Sequence, residues 1–285
     1  MILVTGATGT NGAELVKLLS SRGVPLRALV RSRNRGTAIA ALPGVESVVG
    51  DFDDPASLGR ALAGVERAFL LTPSTDRAEA QQLAFVAAAR GAGVRHVVKL
   101  SQFAADEGSP VRFLRYHAAV ERAIRESGMA WTFLRPNLFM QGLLGFAGSI
   151  RAEGRFHAAA GDARVSVVDV RDNAAAAAAA LTEGGHEGCI YDLSGPEALT
   201  HAEMAAKLSE AAGREIAFVD VPPDAMRGAL VGTGMPLWQA DGLVEDYAHY
   251  RRGEAAAVLP GVEDATGQPP RGFSSFARDY AAAFS

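Results

Sequence analysis

A glycine-rich segment near the start of the chain has the residue types of an anion-binding turn. It contains Gly6, Gly9 and Gly12, interleaved with Thr8, Thr10 and Asn11. The apolar run 2–4 before it predicts a strand, and apolar residues at helical spacing follow it. Glycine lets the backbone approach a pyrophosphate, and a helix N-terminus offers unpaired N–H groups. This position between strand and helix predicts a dinucleotide site, the alternative being an ordinary βα turn.

The second predicted strand, residues 26–30, leads directly into a cation. Arg31 lies 19 residues beyond Gly12, and no acidic residue occurs between Gly23 and Glu46. NAD sites usually place an acid about 20 residues past the turn, whereas NADP sites place a cation there. A guanidinium can pair bidentately with the additional phosphate. The sequence therefore predicts NADP(H) as cofactor, bound by Arg31 and by Arg35 of the same loop; a solvated basic loop is the alternative.

The elements that must position these residues alternate regularly. Strands are predicted at 2–4, 26–30, 45–49, 68–71, 94–100 and 131–134, with helices between them. Continuous apolar strands that alternate with helices predict a doubly wound parallel sheet, the Rossmann α/β fold. After residue 135 the alternation stops; a strand at 165–170 and an alanine-rich helix then return to the first domain. We expect a Rossmann domain of residues 1–135 and 163–182, and a smaller α+β C-terminal lobe of residues 136–162 and 183–285 that binds substrate.

Composition narrows the class of protein. The chain has 285 residues, of which 48% are hydrophobic, and a formal net charge of −4. This balance gives no reason to expect a nucleic acid or an anionic membrane as partner. The single Cys189, expected in the core, excludes an internal disulfide and is typical of a reducing compartment. The six histidines show no metal-ligand spacing. We expect a cytoplasmic protein without a metal, and leave its oligomeric state open, a homodimer being one alternative.

Several further motifs resemble one family. They are Gly50-Asp51-Phe52, Leu71-Thr72-Pro73, the stretches 117–121 and 131–137, Val168-Asp169-Val170-Arg171-Asp172 and residues 267–271. Together with the turn and Arg31 they resemble the NmrA-like atypical short-chain dehydrogenases over nearly the whole chain. That resemblance implies an NADPH-dependent reductase of quinones, azo compounds or triphenylmethane dyes. Other members of the family are cofactor-sensing regulators without known turnover.

The resemblance also implies positions for the cofactor. The residues of the turn would hold the pyrophosphate, and Arg31 the 2′-phosphate. Asp51 and Phe52 would lie against adenine, although a helix cap and a core position are their alternatives. The ribose and nicotinamide side would be lined by Leu71, Thr72, Pro73, Pro136 and Asn137.

The usual catalytic acid of short-chain dehydrogenases is missing. These enzymes commonly use a Tyr-x-x-x-Lys pair that protonates a nascent alkoxide. Tyr116 is the only tyrosine before Tyr191, and Val120 stands four residues beyond it. Aligning Glu121 with the acid that often follows the lysine puts His117 at the lysine position and Phe113 at the tyrosine position. Such a site favours electron-poor conjugated acceptors, which need little local protonation.

Four residues are candidates for the reaction itself. Ser101 falls at the family's active-site serine, and His117 could supply a proton near neutral pH; a strand-end cap and a structural histidine are the alternatives. Phe139 and Trp238 could stack on an aromatic substrate, or belong to the core. The leading hypothesis is an NADPH-dependent oxidoreductase that passes hydride to a quinone-, azo- or cationic-dye-like acceptor. The alternative is a non-catalytic NADP-binding redox sensor that acts through a protein partner.

Overall fold

The computed structural model describes the backbone of residues 1–285 and every side chain except those of Arg33 and Arg35. The predicted contact of Arg35 with the cofactor therefore lies outside the described residues. The strands are β1 Ile2–Val4, β2 Leu26–Val30, β3 Val45–Val49, β4 Arg67–Leu70, β5 His96–Leu100, β6 Ala130–Pro136, β7 Arg155–Ala158, β8 Cys189–Leu193 and β9 Ala217–Asp220. The α-helices are α1 Thr10–Ser21, α2 Thr37–Ala40, α3 Pro55–Leu62, α4 Ala78–Gly91, α5 Arg112–Glu126, α6 Ala147–Glu153, α7 Val170–Thr182, α8 His201–Ala212, α9 Pro223–Gly232, α10 Leu237–Arg251, α11 Gly261–Thr266, α12 Phe273–Asp279 and α13 Ala281–Phe284. Short 3-10 helices cover Arg33–Gly36 and Met140–Phe146.

Seven strands form one parallel sheet in the order β3-β2-β1-β4-β5-β6-β8. Chain order reverses between β1 and β4, so the loops after these two strands diverge and leave a crevice at the carboxyl ends, where α/β sheets bind ligands. Strands β1, β4 and β5 are almost completely buried, as their continuous apolar runs predict. The predicted Rossmann fold is confirmed.

Helices cover both faces of the sheet. Helices α1 and α7 pack against each other on one face, while α3, α4 and α5 lie side by side on the other. The run of alanines in α7 is buried and presents only methyl groups to α1. The small side chains allow the two helices to approach closely, which explains why this segment is so rich in alanine.

A second, smaller unit has a hydrophobic core of its own. It contains the parallel pair β7–β9 together with α6, α8, α9, α10, α12 and α13, packed around a core that includes the phenylalanines Phe156, Phe273, Phe276 and Phe284. Helix α8 begins with a capping box, in which Thr200 Oγ1 accepts from Glu203 N–H at 3.1 Å and Glu203 Oε2 accepts from Thr200 N–H at 2.8 Å.

Some expectations about these elements are wrong. Strand β8 pairs with β6 in the main sheet, so the stretch 189–193 does not belong to the C-terminal lobe. Residues 165–170 form isolated bridges, from Val165 to Leu199 and from Val168 to Phe139, instead of a strand. Cys189 is only partly buried, because β8 is an edge strand.

No helix in the part of the chain that the structure describes has the length and apolar character of a membrane span.

Candidate active site

The glycine turn has a geometry that only glycine satisfies. Gly6 adopts φ +62°, and its carbonyl oxygen accepts the N–H of Gly9 at 2.9 Å. A Cβ on Gly12 would lie 2.2 Å from that same oxygen, which no side chain tolerates. Helix α1 starts directly afterwards with Gly9 as its N-cap, and no side chain caps its first N–H groups. The turn therefore offers free backbone donors to an anion.

A cleft of about 640 Å³ extends from this turn along the carboxyl edge of the sheet. Its walls bring together most of the expected cofactor residues: Gly6, Thr8, Gly9, Thr10, Asn11, Arg31, Asp51, Phe52, Leu71, Thr72 and Pro73. The volume falls within the range of about 300–1,000 Å³ that is typical of ligand and cofactor sites. The residues present therefore fit a dinucleotide.

One end of the cleft, after β2 and β3, carries an exposed cation, a carboxylate and an aromatic ring. Arg31 is exposed at the end of β2, and its guanidinium forms no hydrogen bond or ion pair with another described residue. Asp51 accepts the N–H of Asp53, while the cap of α3 is Asp54, so the helix-cap alternative for Asp51 is wrong. Phe52 packs on Phe85 at a ring-centroid distance of 5.9 Å and also lines the cleft. Its core and adenine roles are therefore compatible.

Hydrogen bonds between strand ends fix the opposite end of the cleft. Thr5 Oγ1 lies 3.0 Å from the carbonyl oxygen of Phe69 and accepts the N–H of Leu71 at 2.8 Å. Thr72 Oγ1 accepts from Gln82 Nε2 at 2.8 Å. These bonds join β1 to the end of β4 and hold the loop after β4 beside the turn.

A separate cavity of about 220 Å³, here called the acceptor cavity, adjoins this end of the cleft. Leu71, Thr72 and Phe139 line both spaces. Pro136 and Asn137, expected at the cofactor, line only the acceptor cavity among the described pockets. Asn137 Nδ2 donates to Ser166 Oγ and to the Ala255 carbonyl, both at 2.9 Å, so this amide joins the loop after β6 to the C-terminal lobe.

Ser101 lies in the wall of the acceptor cavity with its proton already engaged. Its hydroxyl donates to Glu121 Oε1 at 2.6 Å. Glu121 is completely buried and also receives Arg135 Nε at 2.9 Å and Nη2 at 2.6 Å. Because the Ser101 hydroxyl donates its proton to the Glu121 carboxylate, the Ser101 oxygen can only accept a hydrogen bond from an occupant of the cavity.

Behind this wall lies a buried lysine that the sequence analysis missed. Lys99 is fully buried in β5, and its Nζ lies 2.7 Å from Nδ1 of His117. Burial lowers the pKa of Lys99 to about 7. Burial, together with the positive charge of Lys99, lowers the pKa of His117 well below its usual value. His117 is therefore neutral, and an ammonium at Lys99 directs the ring proton to Nε2.

The facing wall comes from helix α10. Asp246 is buried, accepts two hydrogen bonds from Gln102 Nε2 at 3.0 and 3.2 Å, and has its pKa raised by burial to about 7. Tyr116 lies 3.2 Å from Ser74 Oγ, and burial raises its pKa to about 12. Two ionisable groups, Asp246 and Lys99, thus have a pKa near neutrality at or beside one cavity.

Known proteins place this architecture in a family. A model of the NmrA-like family matches residues 1–266. The chain belongs to the NmrA-like family. It is 42% identical over 284 residues to the NAD(P)H azoreductase of Xenophilus azovorans, a match that covers 100% of this chain and 99% of the relative. It is 44% identical over 285 residues to the (4-alkanoyl-5-oxo-2,5-dihydrofuran-3-yl)methyl phosphate reductase of Streptomyces griseus, with 100% and 99% covered.

A solved structure has the same fold. The crystal structure of an NADPH-dependent quinone oxidoreductase from Escherichia coli, complexed with NADPH, superposes with a TM-score of 0.88 at 29% identity, covering 98% of this chain and 99% of that one. The expected class, an oxidoreductase, is confirmed by these relatives.

The two aromatic candidates for substrate stacking, Phe139 and Trp238, lie in different places relative to the cavities. Phe139 lies where the cleft and the acceptor cavity meet. Trp238 lines none of the described pockets; it packs 5.3 Å from Phe113 and lies under the guanidinium of Arg112. Direct stacking of Trp238 on a substrate is therefore not supported, and its contacts are those of a residue that stiffens the wall.

Residues that the sequence analysis missed come from distant segments. Gln141 and Gly142 line the cofactor cleft, while Gln102, Tyr116, Asp246 and Tyr250 line the acceptor cavity. The contact between α5 and α10 brings Tyr116, Asp246 and Tyr250 together. It is fixed by Arg112, whose Nη2 lies 2.7 Å from Glu245 Oε1. The buried lysine had the clearest signal, a cation within the apolar strand 96–100.

Proposed function

We propose that this protein is a reductase that transfers hydride from NADPH to an electron-poor conjugated acceptor such as a quinone or an azo compound. NADP(H) is its cofactor, as the NADPH complex of the similar quinone oxidoreductase supports, and the free guanidinium of Arg31 at the end of β2 favours the same cofactor. The observation that carries the proposal is the position of the acceptor cavity, which shares Leu71, Thr72 and Phe139 with the inner end of the cofactor cleft. The names of the relatives, an azoreductase and a quinone oxidoreductase, support the same substrate class.

The reaction needs one hydride and one proton. Bound NADPH supplies the hydride, so that a quinone plus one proton becomes a hydroquinone and NADP⁺ remains. The chain must hold the acceptor against the nicotinamide end of the cleft and exclude water. Phe139 serves the first purpose by bordering both spaces. The second is served by a largely apolar wall that includes Leu100, Phe113 and Leu138.

His117 is proposed as the donor to the acceptor's oxygen or nitrogen. Its Nδ1 faces Lys99 at 2.7 Å, which leaves Nε2 to interact with the occupant of the cavity that the ring lines. A neutral imidazole with its proton on Nε2 donates a hydrogen bond to the charge that develops there. Lys99 acts through His117 and is a positioning residue.

Asp246 is proposed as the source of the proton. Its carboxyl group lines the cavity, and a pKa of about 7 leaves it partly protonated at neutral pH. A general acid is most effective when its pKa lies near the working pH. The Tyr-x-x-x-Lys pair is absent, with Phe113 at the tyrosine position and His117 at the lysine position. In this proposal His117 and Asp246 together perform the function of that pair.

The proposal includes three further expectations, about the C-terminal lobe, the cellular location and the oligomeric state. The C-terminal lobe supplies the acceptor side of the site through α10. A cytoplasmic location is proposed from the single cysteine. The homodimer stays an open prediction, which sedimentation would test.

The test is turnover. Purified protein is mixed with NADPH and, in turn, with quinones, azo dyes and cationic dyes, and the loss of NADPH absorbance is followed. We expect consumption of NADPH with at least one quinone or azo compound. Tight NADPH binding without turnover across the whole panel would contradict the proposal and favour the sensor hypothesis.

A further inference from the structure

A third cavity, here called the lobe cavity, lies within the C-terminal lobe. It measures about 750 Å³ and is enclosed by the 3-10 helix Met140–Phe146 and by helices α8, α9 and α10. Most of its wall is apolar, including Leu143, Phe146, Met204, Met226 and Leu230. None of the described lining residues is Asp, Glu, Lys or Arg. The hydride-transfer step as described above makes no use of this space.

The lobe cavity adjoins the site of the proposed reaction. Leu138, Phe139 and Leu243 line both the lobe cavity and the acceptor cavity. The lobe cavity is therefore an apolar space directly beside the acceptor cavity. The acceptor cavity itself, at about 220 Å³, is much the smaller of the two spaces.

The buried histidine of the lobe cavity, His201, adds no charge to its wall. Burial lowers the pKa of His201 to about 4, so this ring is neutral at physiological pH. Its neighbours are rings as well, with Phe218 at 5.3 Å and Tyr247 at 5.6 Å between centroids. Four methionines line the wall (Met140, Met204, Met226 and Met235), and methionine adapts its shape to irregular apolar ligands.

We propose that the lobe cavity binds a hydrocarbon chain carried by the acceptor, whose conjugated head is reduced in the acceptor cavity. This inference rests on the proposed function for the location of the head. The natural substrate class is then a conjugated electrophile with a long alkyl substituent, and a small unsubstituted quinone is only a partial ligand. Burial of the chain is a uniform binding contribution, so it lowers KM and leaves kcat nearly unchanged.

The test compares naphthoquinones that differ only in their alkyl substituent: methyl, butyl, hexyl and octyl. We expect kcat/KM to rise by roughly two- to fourfold for each added methylene. A series in which the methyl compound is reduced but kcat/KM does not rise with chain length would overturn the inference and leave the proposed function intact.

Substitutions in α9 locate the chain. Ala225 and Ala229 lie one helical turn apart and line the lobe cavity but not the acceptor cavity. Ala229→Trp, with Ala225→Trp as a second variant, should keep turnover of the methyl compound and remove most of the gain with chain length. Val231→Trp is the matched control, because Val231 is an exposed residue of the same helix outside the wall. An unchanged chain-length dependence in both alanine variants would mean that the chain lies elsewhere.

A binding measurement keeps the two proposals separable. Alkylated dimethoxynaphthalenes cannot accept hydride, and their affinity for the NADP⁺ complex can be measured by calorimetry. Affinity should rise with chain length in the parent protein and in Val231→Trp, but not in Ala229→Trp. This result supports the lobe cavity even if no quinone is reduced, whereas equal affinities along the series would refute it.

Discussion

The cofactor cleft and the acceptor cavity are built in different ways. The cleft is made by short contiguous segments at successive strand ends, and its key contacts are backbone groups, such as the oxygen of Gly6 and the N–H groups that begin α1. The acceptor cavity is made by side chains from α5, the loop after β6 and α10, which lie far apart in the chain. Local sequence therefore determines the first site, and tertiary packing determines the second.

This difference has an electrostatic counterpart. In the cleft the cation at its rim, Arg31, is exposed and unpaired among the described residues. Around the acceptor cavity the charged groups are buried and arranged in networks, with Glu121 between Ser101 and Arg135, and Lys99 against His117. An exposed cation can bind a charged ligand directly, whereas buried hydrogen-bonded groups fix the protonation state and orientation of neighbouring side chains. The predictions that follow test this division.

The largest effect is expected at the turn. Gly12→Ala places a Cβ against the Gly6 oxygen, so the turn must open. Its backbone N–H groups then no longer point towards the proposed pyrophosphate position. We expect the affinity for NADPH, measured by fluorescence titration, to fall by about a hundredfold or more, because a contact of 2.2 Å puts the cost at or above the upper end of the overpacking range of about 1–3 kcal/mol. Gly59→Ala is the control, because Gly59 is also helical and a Cβ there meets nothing. Undiminished binding in a folded Gly12→Ala protein would contradict the backbone model of this site.

A smaller and more selective effect is expected at Arg31. Arg31→Ala removes the cation proposed to bind the 2′-phosphate, and a hydrogen bond to a charged group contributes about 1.5–3 kcal/mol. The Kd for NADPH should rise by roughly ten- to a hundredfold, while that for NADH stays nearly constant. Arg22→Ala, another exposed arginine remote from the cleft, controls for net charge. Equal losses for both dinucleotides would show that Arg31 does not recognise the phosphate.

Sequence reasoning succeeded where the determinants were local. The spacing of Gly6, Gly9 and Gly12 was enough to predict an anion-binding turn at the end of β1, and the alternation of apolar strands with helices was enough to predict the parallel sheet. Sequence reasoning failed for Asp246 and for the position of β8. The local sequence around residues 246 and 189 does not indicate which distant strand or helix each of them will contact. Trp238 illustrates the same limit: an aromatic residue has the same local signal whether it lines a cavity or, as here, packs behind the wall.

Behind the wall of the acceptor cavity, Lys99 should affect rate and stability in opposite directions. Lys99→Met removes the donor that directs the His117 proton to Nε2, and we expect kcat to fall by about tenfold with little change in the Kd for NADPH. Lys17→Met, at an exposed lysine of α1, is the control. Unchanged kcat in Lys99→Met would remove Lys99 from the proposed mechanism.

The stability of the same variant depends on pH in a defined way. The pKa of Lys99 is about 7 in the folded protein and 10.5 for the free side chain, so the unfolded chain binds the extra proton between these values. Stability of the parent protein should therefore rise with pH across this window. Lys99→Met lacks the rise and should be the more stable protein at pH 7, by at most about 1.4 kcal/mol per pKa unit. Denaturant unfolding at several pH values checks the sign; parallel curves for parent and variant would refute a buried, titrating lysine.

The smallest effect is expected at Asp246, where the measurement is a pH profile. Its carboxyl group is protonated below a pKa of about 7, so kcat for a quinone should decrease as pH rises through 7. Asp246→Asn keeps the hydrogen-bonding shape beside Gln102 but carries no proton to transfer; we expect kcat a few-fold lower at pH 6 and a flat profile. Asp241→Asn, on the surface side of the same helix, should retain the parent profile. A decrease near pH 7 that survives in Asp246→Asn would assign the titration to Lys99 instead, and would leave the buried lysine and histidine pair as the proton-holding part of the acceptor cavity.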